Sequence, residues 1–113
     1  MSDCLFCKIV VGEIPSTKIY EDEYVYAFAD IDPKAPFHAI VIPKEHICCA
    51  NQITSENSFL IAKVFEAIAK IAKQENLENG YRVVNNCGED GGQTVPHIHF
   101  HLLARRNLAW PPG

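Results

Sequence analysis

The run His97-Ile98-His99-Phe100-His101-Leu102-Leu103 sets an imidazole at every second position. On a β-strand successive side chains point to opposite faces, so His97, His99 and His101 share one face while Ile98, Phe100 and Leu102 share the other. The pattern predicts a strand with one buried face and one face that does chemistry or holds a metal. Rings two positions apart stand roughly 7 Å from one another, where two unit charges at an effective dielectric near 20 repel by about 2 kcal/mol. That exceeds one pK unit, so neighbouring rings do not both carry a proton near neutral pH. The row offers a neutral imidazole, as nucleophile or ligand, beside a ring that can hold a proton. Two chemistries fit: three imidazoles holding a catalytic zinc with water in the fourth position, or one histidine attacking phosphorus with no catalytic metal.

Immediately upstream, Asn85-Asn86-Cys87-Gly88-Glu89-Asp90-Gly91-Gly92-Gln93-Thr94 is a glycine-rich polar loop. Alone it reads as a connection between antiparallel strands. Joined to the histidine run it looks like a phosphate-binding edge, provided the carboxylates of Glu89 and Asp90 point away. A third cluster is Cys4-x-x-Cys7, which can be a redox pair, two core cysteines, or half of a zinc site. A zinc site needs two more ligands, for which His46 and His97 are the candidates.

The elements that must position these groups are those of one modest domain, 1–113. A short helix is expected from Cys4 to Val11, closed by Gly12. Strands are expected over Thr17 to Glu21 and Tyr24 to Asp30, joined by a tight turn at Asp22-Glu23, and His38 to Pro43 returns as an apolar strand after the stiff Asp32-Pro33-Lys34-Ala35-Pro36. Ser55 to Lys73 carries the one long helical pattern, with Ile61, Val64, Phe65, Ile68, Ile71 and Ala72 on its stripe and Glu56 in its first turn. Tyr81 to Asn85 delivers the glycine loop. The expected fold is α+β: an antiparallel sheet of about five strands with one long and one short helix. Ten basic against fourteen acidic residues give a formal charge of −4, which supports neither broad nucleic-acid binding nor an anionic membrane surface. With no apolar stretch long enough to span a bilayer and an odd number of cysteines, five, the chain reads as soluble and cytoplasmic with reduced thiols.

The histidine run preceded by Gly91-Gly92-Gln93-Thr94-Val95-Pro96, with Cys4-Leu5-Phe6-Cys7-Lys8-Ile9, Gly12-Glu13-Ile14-Pro15, Asp30-Ile31, Pro36-Phe37-His38, Ile42-Pro43-Lys44-Glu45-His46 and the terminal Trp110-Pro111-Pro112-Gly113, resembles the histidine-triad (HIT) family of nucleotide hydrolases and transferases, in its nucleotide-binding branch. The resemblance implies hydrolysis of purine nucleoside phosphoramidates, of the adenosine 5′-phosphoramidate or aminoacyl-adenylate kind, releasing AMP or GMP. It implies His99 as the nucleophile forming a nucleotidyl-histidine, His101 on the phosphate, and His97 and His38 as supports. It further implies Asp30 on the ribose hydroxyls, Ile31 beside the base, and Asn86, Gly92, Gln93 and Thr94 toward the phosphate. A subset of the family binds a structural zinc through residues matching Cys4, Cys7, His46 and His97, and a homodimer is implied, with the tail 105–113 docking at its interface. Pro96 and the pair Glu89-Asp90 depart from the family pattern and bear on substrate preference. Alternatives are a dinucleoside polyphosphate substrate, a metal-dependent hydrolase, and a nucleotide-binding adaptor whose catalysis is incidental.

Overall fold

The computed structural model describes residues 3–113. In chain order it has α1 (Leu5–Val10), β1 (Lys18–Glu21), β2 (Val25–Ala29), β3 (Phe37–Pro43), a 3₁₀ turn (Ala50–Gln52), α2 (Ser58–Gln74), β4 (Tyr81–Val84) and β5 (Phe100–Ala104). The five strands form one antiparallel sheet in the order β1-β2-β3-β5-β4. This is the α+β architecture that the alternation of β-branched and aromatic runs with a single long amphipathic segment requires. Among the described residues no helix is long and apolar enough to cross a membrane.

The two faces of the sheet bury different things. One packs Val25, Ala27, Ala39, Val41, Phe100 and Leu102 under α2, which presents Leu60, Val64, Ala67, Ile68 and Ile71 at the helical spacing. Each large aliphatic fully buried there contributes about 1.5–3 kcal/mol. The other face carries Tyr26, Phe28, Ile40 and Ile42, roofed by Phe6 and Ile9 of α1. Phe28, Ile40 and His101 stand in one row across β2, β3 and β5, and Tyr26 pairs with Ile42 in the next row. The histidines therefore belong to the face that α1 covers.

Three local expectations are corrected. Strand β5 begins at Phe100, not at His97. Pro96 brings no N–H, and the residues after it bond outside the sheet: His97 N–H donates to the Val95 carbonyl, Ile98 N–H to the Ile47 carbonyl, and the Asn85 amide to the His99 carbonyl. The side-chain alternation nevertheless persists, with Ile98 and Phe100 in the α2 core and the imidazoles opposite. The long helix starts at Ser58, three residues later than expected. The Asn57 carboxamide accepts the Thr54 N–H and the Thr54 hydroxyl accepts the Glu56 N–H, a local turn that competes with helix and leaves Glu56 ahead of it. Phe65, placed on the apolar stripe, is half exposed and lays its ring edge against Phe100, with centroids 5.6 Å apart.

Candidate active site and metal-ligand cluster

A cavity of about 380 Å³ opens between α1 and the sheet. Leu5, Phe6, Ile9, Ile14, Phe28 and Ile40 give it apolar walls, and Asp30, Thr94, His99 and His101 supply polar groups. A concave, mostly apolar site with a few convergent polar groups is the form small-molecule sites take. A larger groove of about 500 Å³ around Lys18, Glu21 and Lys44 touches none of the histidines and is more open to solvent.

Hydrogen bonds fix which nitrogen of each ring is available. His99 Nδ1 lies 2.7 Å from the His97 carbonyl, which can only accept, so Nδ1 carries the proton and Nε2 keeps its lone pair. At His38 the logic runs the other way: the Lys34 N–H donates to Nδ1 at 3.0 Å, so the proton of the neutral ring sits on Nε2. That Nε2–H is 2.9 Å from His101 Nδ1 and 3.3 Å from an Asp30 carboxylate oxygen. His101 then accepts at Nδ1 and carries its own proton on Nε2. The site thus joins a ring with a free lone pair, His99, to a ring with a free donor, His101, their centroids 5.1 Å apart. His38 braces His101 rather than His99, and it is the backbone carbonyl of His97, not its ring, that braces His99.

Charge is disfavoured on His101 and His38. Burial pushes His101 down to about 4, with the neighbouring His99 and His38 acting in the same direction, and burial also lowers His38 against the opposing pull of Asp30. Rings neutral in the fold but protonated near pH 6.5 once unfolded make the unfolded state the better proton binder below that pH. Stability is therefore expected to be flat above about pH 7 and to fall as pH drops from about 6.5 toward 4. Urea melts across that range check the fall. Imidazole NMR shifts of His101 that stay constant from pH 8 to pH 5.5 check its cause, and a midpoint above 6 for that ring would contradict it.

The glycine loop is arranged differently from the expectation of a backbone cradle. Gly92 N–H donates to the Glu89 carbonyl and Gln93 N–H to the Gly88 carbonyl. The Gln93 carboxamide is also spent: it donates to the carbonyls of Cys48 and Val95 and accepts the Gly88 N–H. Gln93 is thus a clamp that holds the loop shut, and of the expected loop residues Thr94 is the one that lines the cavity. Gly91 has to be glycine because a Cβ there would stand 2.5 Å from the Cys87 carbonyl oxygen, and Gly92 turns the chain at φ +79°. Glu89 and Asp90 are exposed and do not line the cavity. Asn86 is half-buried and outside the lining, whereas its neighbour Asn85, which no sequence signal separated from it, holds the His99 carbonyl at 2.9 Å. Ile31 stands fully exposed at the cavity mouth, and Asp30 faces inward beside His38.

Cys4, Cys7, His46 and His97 place one ligand atom each within 4.8 Å of all the others. His97 Nε2 lies 2.9 Å from the Pro43 carbonyl, so it donates there and frees Nδ1, which sits 3.3 Å from Cys4 Sγ and 3.6 Å from Cys7 Sγ; His46 Nδ1 is 3.5 Å from Cys7 Sγ. Zinc bonds of about 2.3 Å to sulfur and about 2.05 Å to nitrogen at the tetrahedral angle give S···N edges of about 3.6 Å. Ligand type, spacing and a carbonyl orienting the buried imidazole all fit such an ion. Asp30, His38 and His101 also gather closely, but His38 Nε2 there is a proton donor, which a metal ligand cannot be. The three histidines of the run do not converge on a common point, since His97 Nδ1 faces the cysteines and His101 Nδ1 faces His38.

A five-stranded antiparallel sheet with imidazoles on the face that α1 covers, beside an apolar cavity, places the chain among α+β domains. The HIT domain family model matches residues 11–108, and the chain belongs to that family. The chain is 49% identical over 114 residues to a 14 kDa zinc-binding protein of Zea mays, covering 99% of this chain and 89% of that protein. It is 43% identical over 107 residues to the purine nucleoside phosphoramidase of Escherichia coli, covering 94% and 90%. A crystal structure of a HIT family hydrolase from Legionella pneumophila superposes with a TM-score of 0.95 at 49% identity, covering 98% of this chain and 100% of that one.

Proposed function

We propose that the protein hydrolyses purine nucleoside phosphoramidates through a covalent nucleotidyl-His99. The observation that carries this reading is the pairing of opposite tautomers in one cavity, a lone pair on His99 Nε2 and a proton on His101 Nε2. The His99 lone pair attacks the α-phosphorus, the P–N bond breaks, and the nitrogen departs as an amine carrying a proton from solvent, which the water of the second step gives back. Water then attacks the same phosphorus, returning free His99 and a nucleoside monophosphate. Dividing one displacement into two lowers each barrier. His101 Nε2–H and the Thr94 hydroxyl meet the charge that gathers on the phosphoryl oxygens, in a site where burial strengthens such bonds. Asp30, whose second oxygen accepts the Asp32 N–H at 2.7 Å, is positioned for the ribose hydroxyls, and the apolar walls take the base. Similarity to the Escherichia coli phosphoramidase supports the substrate class.

The four-ligand cluster is read as a structural zinc site, held by Cys4, Cys7, His46 and His97. When bound, the ion would supply a cross-link between α1 and the segments that follow β3 and precede β5, and would take no part in the displacement. The protein is further read as a cytoplasmic homodimer. Support for the dimer comes from β4, an edge strand with exposed Tyr81, and from the tail beside it, where Arg82 donates to the carbonyls of Leu108 and Ala109 and Trp110 is 80% exposed.

Release of AMP from adenosine 5′-phosphoramidate in excess chelator tests the reaction. AMP release that persists in chelator, at temperatures below the melting point of the metal-free protein, is the expected result. No AMP release, with or without zinc present, would overturn the assignment.

A further inference from the structure

One polar side chain that lines the cavity, Ser16, has no part in the reading above. His101 lies on β5 and Ser16 stands just ahead of β1, where the Thr17 carbonyl accepts the Ala29 N–H and ties that segment to the end of β2. Between them lie three interstrand spacings, roughly 14 Å, floored by Ile40 and Phe28. Side chains reaching in from both sides shorten that span toward the length of a nucleoside monophosphate. Besides Asp30, Thr94, His99 and His101, Ser16 is the polar side chain among the residues that line the cavity.

Its hydroxyl is oriented. Ser16 Oγ is 2.8 Å from the hydroxyl of Tyr26, a residue that belongs to the buried cluster beneath the cavity and does not line it. Either hydroxyl can donate in this pair; the phenol is the stronger hydrogen-bond acid, and the arrangement in which Tyr26 donates leaves the serine proton unspent. In that arrangement the serine proton is directed away from Tyr26, free to enter the cavity as a donor.

We propose that Ser16, oriented by Tyr26, reads the base: it donates a hydrogen bond to a ring nitrogen on the edge of the purine remote from the ribose. The inference rests on the nucleotide reading above and adds to it a group that discriminates among bases in an otherwise apolar pocket. A hydroxyl that loses its acceptor in a half-buried site is left poorly solvated, which turns a single ring atom into a measurable preference.

Calorimetric Kd values for AMP and for its 1-, 3- and 7-deaza analogues, on the wild type, Ser16→Ala and Tyr26→Phe, test it. Ser16→Ala is expected to weaken AMP binding about 3- to 10-fold. One deaza analogue should bind the wild type weaker by a similar factor and show no further loss on Ser16→Ala. Tyr26→Phe, which keeps the ring packing, should move the same way. If Ser16→Ala binds AMP as the wild type does, or loses equally against every analogue, Ser16 does not read the base while the nucleotide reading stands. If the wild type binds no AMP, both fall together.

Discussion

Replacing His99 with asparagine should abolish AMP release from adenosine 5′-phosphoramidate, lowering kcat on the order of 10⁴-fold or more, the scale at which removal of a covalent nucleophile acts. The choice of asparagine matters. Its amide N–H can still donate toward the His97 carbonyl, which the His99 Nδ1–H meets at 2.7 Å, so the backbone around the site keeps its bond while the Nε2 lone pair is lost. Phe6, whose ring stands edge-on to His99 with centroids 5.1 Å apart, loses part of one contact, a modest effect on folding. His101→Ala should cost less. It leaves the nucleophile in place and removes a single donor to the phosphoryl oxygens, a change worth about 10²- to 10³-fold in comparable oxyanion sites. A single-turnover experiment with acid quench should show a nucleotide-labelled protein for the wild type and none for His99→Asn. If His99→Asn retains turnover within tenfold of the wild type, His99 is not the nucleophile, and the chain is a nucleotide-binding module or uses another group.

The unequal legibility of the site follows from how each part is specified. The histidine run announced itself because its period of two survives even where the strand does not: His97 to His99 are irregular backbone, yet their rings still alternate against Ile98 and Phe100. The four metal-ligand candidates were legible because C-x-x-C fixes two of them on one turn and thiols favour few partners. The sheet was legible from its β-branched and aromatic runs, to within one residue at each end except at β5, which starts three residues later than the histidine run. What stayed hidden is everything that depends on a backbone atom from a distant segment. The Lys34 N–H that sets the His38 tautomer, the Pro43 carbonyl that turns His97 toward the cysteines, and the Asn85 amide on His99 have no side-chain signature that spacing could reveal. For the same reason Gln93 read as a phosphate donor. Its amide is the right type in the right loop, and only the positions of the Cys48 and Val95 carbonyls show that both of its protons are committed. The apolar walls of the cavity were missed because Leu5, Phe6 and Ile9 look in sequence like ordinary core positions of a short helix.

Cys7→Ser should lower the melting temperature by on the order of 15 °C or more and reduce bound zinc from about one ion per chain to a small fraction. The size follows from linkage: an ion present at a thousand times its Kd stabilises the folded state by about 4 kcal/mol, and for a domain near this size each kcal/mol is worth about 4–8 °C. Helix α1 has only six residues, too few to hold itself, and its Lys8 N–H to Cys4 carbonyl bond and the packing of Phe6 and Ile9 are its visible ties. A four-ligand ion would anchor its first turn to His46 and His97 and so keep Leu5, Phe6 and Ile9 over the cavity. Without the ion the thiol is protonated: burial, reinforced by Cys4, pushes Cys7 up to about 11. Binding must release that proton, so zinc affinity is expected to rise with pH. Metal content by mass spectrometry, and melting curves of wild type and Cys7→Ser with and without chelator, separate the outcomes. The chelator should lower the wild-type melting temperature toward that of Cys7→Ser and leave the variant unmoved. A wild type that carries no zinc and melts identically with chelator would mean that the four side chains pack as a buried polar cluster, with α1 held by apolar contacts alone.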